Sequence, residues 1–189
     1  MIDLYHGTIY DIVKIDVTQG KGYKDFGKGF YATPIKNHAE NIARRNKRII
    51  ETKEAKIRKR NPQYKMNTYQ AYRYNLEFDD SCISNSENLK IKVFQEASRE
   101  WVRFILKNRD SDRSVHNYDI VIGPTADENT VTIINSYREE LLATYYADEV
   151  LDALIEDLQP ENLPKQYFFG TDAAIQNLHF KKIRREIVG

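Results

Sequence analysis

Apolar and polar positions along the chain fall into short patterned stretches separated by glycine and proline. Residues 2–6, IDLYH, read as a strand running into a turn at Gly7. The segment 20–29 carries Gly20, Gly22, Gly27 and Gly29 and reads as a loop, and residues 30–33 form a short extended piece stopped by Pro34. Helix formers fill 36–60 without a glycine or proline until Pro62, which predicts one long helix with Ala39, Ile42, Ala43, Ile49 and Ile50 as a sparse apolar side. Residues 71–78, AYRYNLEF, alternate as a strand does. In 91–108, Phe94, Ala97, Trp101, Phe104 and Ile105 recur at helical spacing and predict a helix with Trp101 in the core. Residues 118–122, YDIVI, predict a buried strand ended by Gly123 and Pro124. One or two helices are expected over 136–158, on Leu141, Leu142, Tyr145, Val150, Leu151, Leu154, Ile155 and Leu158, closed by Pro160 and Pro164. QYFF at 166–169 is a further strand, Thr171 can cap a short helix over 172–178, and the alternating tail 179–188 is a last strand. Strands scattered among helices, without an internal repeat or low-complexity linker, predict a mixed α+β fold.

Composition narrows the class. At 189 residues the chain fits one domain, residues 1–189, with room for a real core, and 41% hydrophobic with 12% aromatic residues excludes a disordered chain. The single cysteine, Cys82, sits in a polar stretch and excludes an internal disulfide and a cysteine-based zinc site. No His, Asp or Glu spacing suggests a metal site, so no metal is expected. No uncharged apolar stretch approaches the about 18 residues of a membrane helix. The opening MIDLYHGTIYD lacks the basic start and apolar run of a signal peptide, so the expected location is cytoplasmic, with no membrane partner.

The formal net charge is +1, from 29 Lys and Arg against 28 Asp and Glu, but the charges are not evenly spread. Residues 44–60 hold nine basic side chains and two acidic ones, a surplus of seven. Residues 124–163 hold ten acidic side chains and one base, Arg138. Two readings stand. Both segments are solvated helix faces, pairing with each other, or the basic one meets an anionic partner such as nucleic acid or an acidic protein.

Three segments are candidates for chemistry. Leu4-Tyr5-His6-Gly7-Thr8 places a histidine and a glycine at a strand end. Asp25-Phe26-Gly27-Lys28-Gly29-Phe30-Tyr31-Ala32-Thr33 is a glycine-rich loop entering a strand, and Gln166-Tyr167-Phe168-Phe169-Gly170-Thr171 opens a later strand. The GKG tripeptide lacks P-loop spacing, and no G-x-x-x-x-G-K-[ST] occurs. In this order the three resemble the His–Tyr–Glu class of ADP-ribosyltransferases, of the diphtheria-toxin and poly(ADP-ribose) polymerase type. In that class the first strand ends in H-G-[ST], the second motif reads G-K-G-x-Y, and a Glu opens a later strand. The chain more closely resembles a bacterial domain family of unknown function that also carries W-x-x-F-x-x-x-N-R and Y-D-x-V-x-G-P-x-A-D. Here these run from Trp101 through Phe104 to Asn108-Arg109, and from Tyr118-Asp119 through Gly123-Pro124 to Ala126-Asp127. The resemblance covers residue 4 to about residue 180.

That resemblance implies a split-sheet α+β fold with NAD, the substrate, in its cleft. Gly7 would offer backbone groups to the nicotinamide amide, His6 would bond the adenosine ribose, and Thr8 would contact the same side. Tyr31 would stack on the cationic nicotinamide ring. Gly27, Gly29 and Phe30 would shape the loop around the ligand, with Lys28 facing a phosphate or simply solvated. Arg109, at a helix end, either suits the helix dipole or contacts a pyrophosphate oxygen. Two departures qualify the activity. Gln166 replaces the family glutamate, keeping a hydrogen bond to the ribose but supplying neither charge nor base, so chain elongation is not expected. Asp25, slightly preferred, or Asp127 would be the substitute carboxylate. Ile42 stands where polymerases place a second stacking aromatic. The implied function is mono-ADP-ribosyl transfer from NAD to a protein or nucleic-acid acceptor, in a bacterial toxin of a toxin–antitoxin or phage-defence locus with an antitoxin as partner. NAD hydrolysis, a non-catalytic NAD or ADP-ribose module, and a plain nucleic-acid-binding domain are the rivals. His38 and His116 are expected to be exposed, and His179 structural.

Overall fold

The computed structural model describes residues 1–85, 87–126, 128–159, 163–176, 178 and 184–188. Among them run seven strands and seven α-helices in the order β1 (Ile2–Thr8), β2 (Phe30–Ala32), α1 (Lys36–Arg60), β3 (Tyr72–Phe78), α2 (Cys82–Asn85), β4 (Ile91–Val93), α3 (Arg99–Arg109), β5 (Ile120–Pro124), α4 (Glu128–Ser136), α5 (Arg138–Ala143), α6 (Asp148–Leu158), β6 (Lys165–Phe169), α7 (Asp172–Gln176) and β7 (Arg184–Ile187). The architecture is mixed α+β with two sheets, ordered β1-β3-β7 and β2-β6-β5-β4. The chain divides into two compact units. The first comprises Met1–Ile15, Ala32–Asn85 and Gln176–Gly189, and the second Asp16–Tyr31 and Ser86–Ile175. No helix among the described residues is long and apolar enough to cross a membrane.

In the first unit β3 pairs antiparallel with β1 and with β7. The period of two sorts the side chains of β1 and β3 to opposite faces. Leu4 and its register partner Leu76 are buried on one face with Tyr74 and Phe78. The other face carries Gly7 opposite Arg73 and receives α1. A Cβ built on Gly7 would lie 1.8 Å from the Ala39 carbonyl oxygen, so the approach of helix to strand demands glycine. The apolar side of α1 is therefore made of the small residues Ala39 and Ala43, while Ile49, expected to be part of it, is 56% exposed. Arg73, buried at the same face, pairs with Glu40 of α1 and Glu186 of β7, and its Nε donates to Asn75 Oδ1 at 2.9 Å. Three partners on three elements make this guanidinium the polar pin of the unit.

Past Ala43 the one buried residue of α1 is Glu54. Its carboxylate turns to the loop after the helix and accepts from Tyr64 Oη at 3.0 Å, Tyr69 Oη at 2.7 Å, and the Asn67 backbone N–H and Nδ2, both at 2.8 Å. Four donors on one carboxylate hold its pKa down at about 2, the Tyr69 hydroxyl contributing most.

In the second unit β5 pairs parallel with β4 and antiparallel with β6, and β6 neighbours β2. Trp101, Val102, Ile105 and Leu106 of α3 bury against Val121, Phe168, Leu141, Leu151 and Leu154, with Phe26 and Phe94 filling the same core. Trp101 lies in the core as expected, its indole N–H donating to the Pro124 carbonyl at 3.2 Å. Asp148 and Asp152 of α6 pair with Arg99, and Asp148 also with Arg103. The acidic segment thus finds partners on α3, within its own unit.

The helix expected over 91–108 begins at Arg99. Ile91 and Val93 lie in β4, and Ser98 caps α3 by accepting from the Trp101 N–H at 3.3 Å. Phe94 and Ala97 keep helical spacing because they enter the same core from the connecting turn. Glu128–Ser136 adds a helix the sequence pattern had not marked, and left-handed Tyr145 and Tyr146 separate α5 from α6. Cys82, placed by the sequence in a polar stretch, opens a single helical turn over Cys82–Asn85. Of the expected last strand, 184–187 is a strand and 179–183, with His179, lies outside the described residues.

Candidate functional site

The second unit gathers Asp25, Tyr31, Arg109 and Gln166. The loop before β2 places Asp25 at its start and turns through Gly27, whose φ of +86° is left-handed. A Cβ there would meet Ser114 Oγ at 2.3 Å, so this glycine seats the loop on 111–115. The Lys28 N–H donates to the same hydroxyl at 2.9 Å, while the Lys28 side chain is exposed. Gly29 packs against the Phe168 ring, and Phe30 is buried, tilted against Phe169 with centroids 6.5 Å apart. These glycines and Phe30 are packing residues of the unit, a use the sequence had not assigned them.

Asp25 is 6% exposed, accepts three hydrogen bonds and makes a further ion-pair contact. Its Oδ1 takes a hydrogen bond from Arg109 Nε at 2.7 Å and lies 2.5 Å from Nη2 in the same ion pair. Oδ2 takes the Ala126 backbone N–H at 3.0 Å and Gln166 Nε2 at 2.7 Å. Arg109 also donates to the Ala126 carbonyl at 3.1 Å. Arg109 ends α3, as expected, and its guanidinium turns to Asp25. Asp25, the preferred substitute carboxylate, is charge-paired with Arg109 and held by the Ala126 N–H and Gln166. Asp127, the other candidate, lies outside the described residues.

Gln166 opens β6, next to the strand that holds Tyr31. Its Nε2 donates to Asp25 Oδ2 and to the Pro124 carbonyl at 3.4 Å. The backbone carbonyl and the charge-paired carboxylate only accept, so the nitrogen end must face them and the amide cannot be reversed. Oε1 is left as an acceptor without a partner among the described residues. Tyr31, half-buried, donates from Oη to the Gly27 carbonyl at 2.7 Å and accepts from the Phe26 N–H at 3.1 Å. Its ring meets Phe168 edge-on, centroids 5.2 Å apart. Burial, and then the Asp25 charge, push its phenol well above the ordinary value, so it stays protonated.

His116, expected to be exposed, is half-buried and stacks on Phe104 with centroids 4.9 Å apart. Nδ1 accepts from the Tyr118 N–H at 3.1 Å, which puts the proton on Nε2, facing the Phe26 carbonyl at 2.9 Å. Burial lowers its pKa. The ring therefore closes the floor beneath the Asp25 loop as a neutral imidazole, a role no local sequence signal announced.

The first motif lies in the first unit. His6 is half-buried on β1 opposite Tyr74, on the Leu4 face. Thr8 is buried and accepts from the Tyr10 N–H at 3.2 Å, while Gly7 is the seat of α1. His38 is half-buried on α1, and Ile42 is half-buried on the same helix. No group of His, Cys, Asp and Glu among the described residues is arranged to hold a metal ion.

A family model described as "Protein of unknown function (DUF3990)" matches residues 2–180. Neither the curated proteins nor the solved structures yielded a match.

Proposed function

The chain belongs to the DUF3990 family of unknown function, and from that premise we propose that it is a mono-ADP-ribosyltransferase with NAD as its substrate. The observation that carries the reading is Gln166. Its amide is fixed by two acceptors at its nitrogen end, leaving Oε1 as a preorganised acceptor on the strand beside Tyr31. A neutral acceptor held this way suits a ribose hydroxyl, and a ring held by its hydroxyl at both Gly27 and Phe26 suits a planar cation. The H-G-T, G-K-G-F-Y and Q-Y-F-F segments supply the ADP-ribosyltransferase resemblance. On this reading the fold is of the split-sheet transferase type.

The reaction breaks the bond between the ribose C1′ and the nicotinamide nitrogen. The bonding pair leaves with the nicotinamide and neutralises its ring. A lone pair of the acceptor attacks C1′ of the oxocarbenium-like species, and the acceptor releases a proton to solvent. Gln166 orients the ribose through its 2′-hydroxyl but removes no proton, which limits the product to single transfers. A toxin role, countered by an antitoxin, accords with such a chemistry.

One observation favours a second reading. Arg109 compensates the one carboxylate bonded to Gln166 among the described residues, which fits a module that binds NAD or ADP-ribose without turnover. Incubation with NAD labelled in its adenylate half, in a cell extract, separates them. Transfer of label to macromolecules, lost in Gln166→Ala and Tyr31→Ala variants that keep the wild-type circular dichroism, supports the transferase. Saturable binding with no transfer supports the module, and label recovered only as free ADP-ribose marks hydrolysis.

A further inference from the structure

We propose that the outward face of α1 is a binding surface for double-stranded DNA, gripped through its phosphate backbone. Arg48, Lys53, Lys56, Lys59 and Arg60 are exposed or largely so and have no ion-pair partner among the described residues. At 100° per residue they fall within an arc of about 140°, roughly opposite the buried Ala39, Ala43 and Glu54. The three carboxylates of the helix, Glu40, Glu51 and Glu54, all project from the other side. Lys53, Lys56 and Lys59 are neighbours at i,i+3, and Lys56 and Arg60 at i,i+4, spacings at which like charges repel. The arrangement is nevertheless held firmly. Glu54, with four donors from residues 64–69, ties the loop to the end of the helix that bears these cations.

The chemistry of the face selects its partner. A protein interface has an apolar centre depleted of lysine, whereas the one exposed apolar side chain in this arc is Ile49. Lysine and arginine on a polar helix are the groups that neutralise phosphates and release counterions. The arc contains no aromatic residue, so it lacks the stacking platform that single strands use. From Arg48 to Arg60 the helix advances about 18 Å, along which a B-form duplex presents about ten phosphate charges. A convex helix also fits the wide major groove of DNA better than the deep, narrow one of duplex RNA.

This inference stands apart from the transferase reading, because its test involves no NAD. Anisotropy of a labelled DNA duplex of arbitrary sequence, titrated with the full chain across about 50 to 200 mM salt, reads affinity and salt slope. The expected slope of log K against log salt is about −4.5 for five contacts. Lys56→Gln, Lys59→Gln and Arg60→Gln combined should flatten it by about 3, at about one per cation removed. Lys14→Gln, Lys21→Gln and Arg113→Gln remove the same charge from exposed sites elsewhere and should leave it unchanged. The proposal is overturned by absence of duplex binding, by an equal effect of the control triple, or by tighter binding to single-stranded DNA, duplex RNA or polyglutamate.

Discussion

Gln166 Nε2 donates to Asp25 Oδ2 across 2.7 Å, and the same carboxylate is held from its other oxygen by Arg109. One carboxylate thus links a strand start to a helix end and settles which way the glutamine amide faces. Restoring the glutamate of the transferase resemblance is not a neutral change in this setting. In Gln166→Glu two carboxylates would meet within hydrogen-bond distance and share a proton, raising the pKa of the pair. A group raised on folding stabilises below its unfolded pKa and loses that contribution as pH rises. The variant should therefore melt well below wild type at pH 7, by an amount on the order of 2 kcal/mol, with the gap narrowing toward pH 4.5. Melting temperatures at the two pH values decide it, and a gap that does not change with pH would sink the idea.

Gly7 and Gly123 make a graded pair. Gly7→Ala drives a methyl into the Ala39 carbonyl, whereas at Gly123 the same methyl meets Phe94 Cβ at 3.0 Å and Phe26 Cζ at 3.3 Å, side chains that can give. Urea denaturation should show Gly7→Ala losing about 3 kcal/mol or failing to fold, and Gly123→Ala losing about 1 kcal/mol. Equal losses would mean that the helix shifts off β1 at little cost.

Glu54 makes acid stability a property of the first unit. Its carboxyl falls from 4.5 to about 2 on folding, so the unfolded chain binds more protons between those values. The contribution is complete above about pH 4.5 and lost as pH falls through 2. Glu54→Gln should weaken the fold at neutral pH yet flatten the decline over that window, read by chemical denaturation at pH 5, 4 and 3. Parallel curves for variant and wild type would count against it.

His116 works in the other pH range. Burial lowers its pKa, so the unfolded chain binds the proton first, and stability contributed by the neutral ring is lost as pH drops below 6.5. Protonation would also set a second donor against the Tyr118 N–H. Proton NMR should place this ring's titration below that of a free histidine, and His116→Phe should remove the dependence between pH 7 and 5. A midpoint above 6.5 would refute the buried, neutral assignment.

Parts of this architecture were legible in the sequence for identifiable reasons. Nothing interrupts helix formers between Lys36 and Arg60, and Pro62 ends them, so α1 emerged with both boundaries. Ile91 and Val93 satisfy a period of two, yet Phe94 and Ala97 extend the helical spacing of α3 backward, so the longer pattern masked β4. In α4, Thr130, Val131, Thr132, Ile133 and Ile134 have β-branched side chains that argue for a strand, and tertiary packing overrides them. Asp25, Arg109 and Gln166 each stood out along the chain. Their partnership did not, because it joins positions 84 and 141 residues apart through hydrogen bonds that no local pattern encodes.

The contact between Gly7 and Ala39 has a consequence for genetics. An H-G-T signature invites a loss-of-function allele at its glycine, yet here that allele would be a temperature-sensitive folding mutant, rescued by cooling or by chaperones. Alleles at Gln166, whose Oε1 end carries no bond among the described residues, are the ones whose phenotype would report on chemistry with the protein still at wild-type abundance.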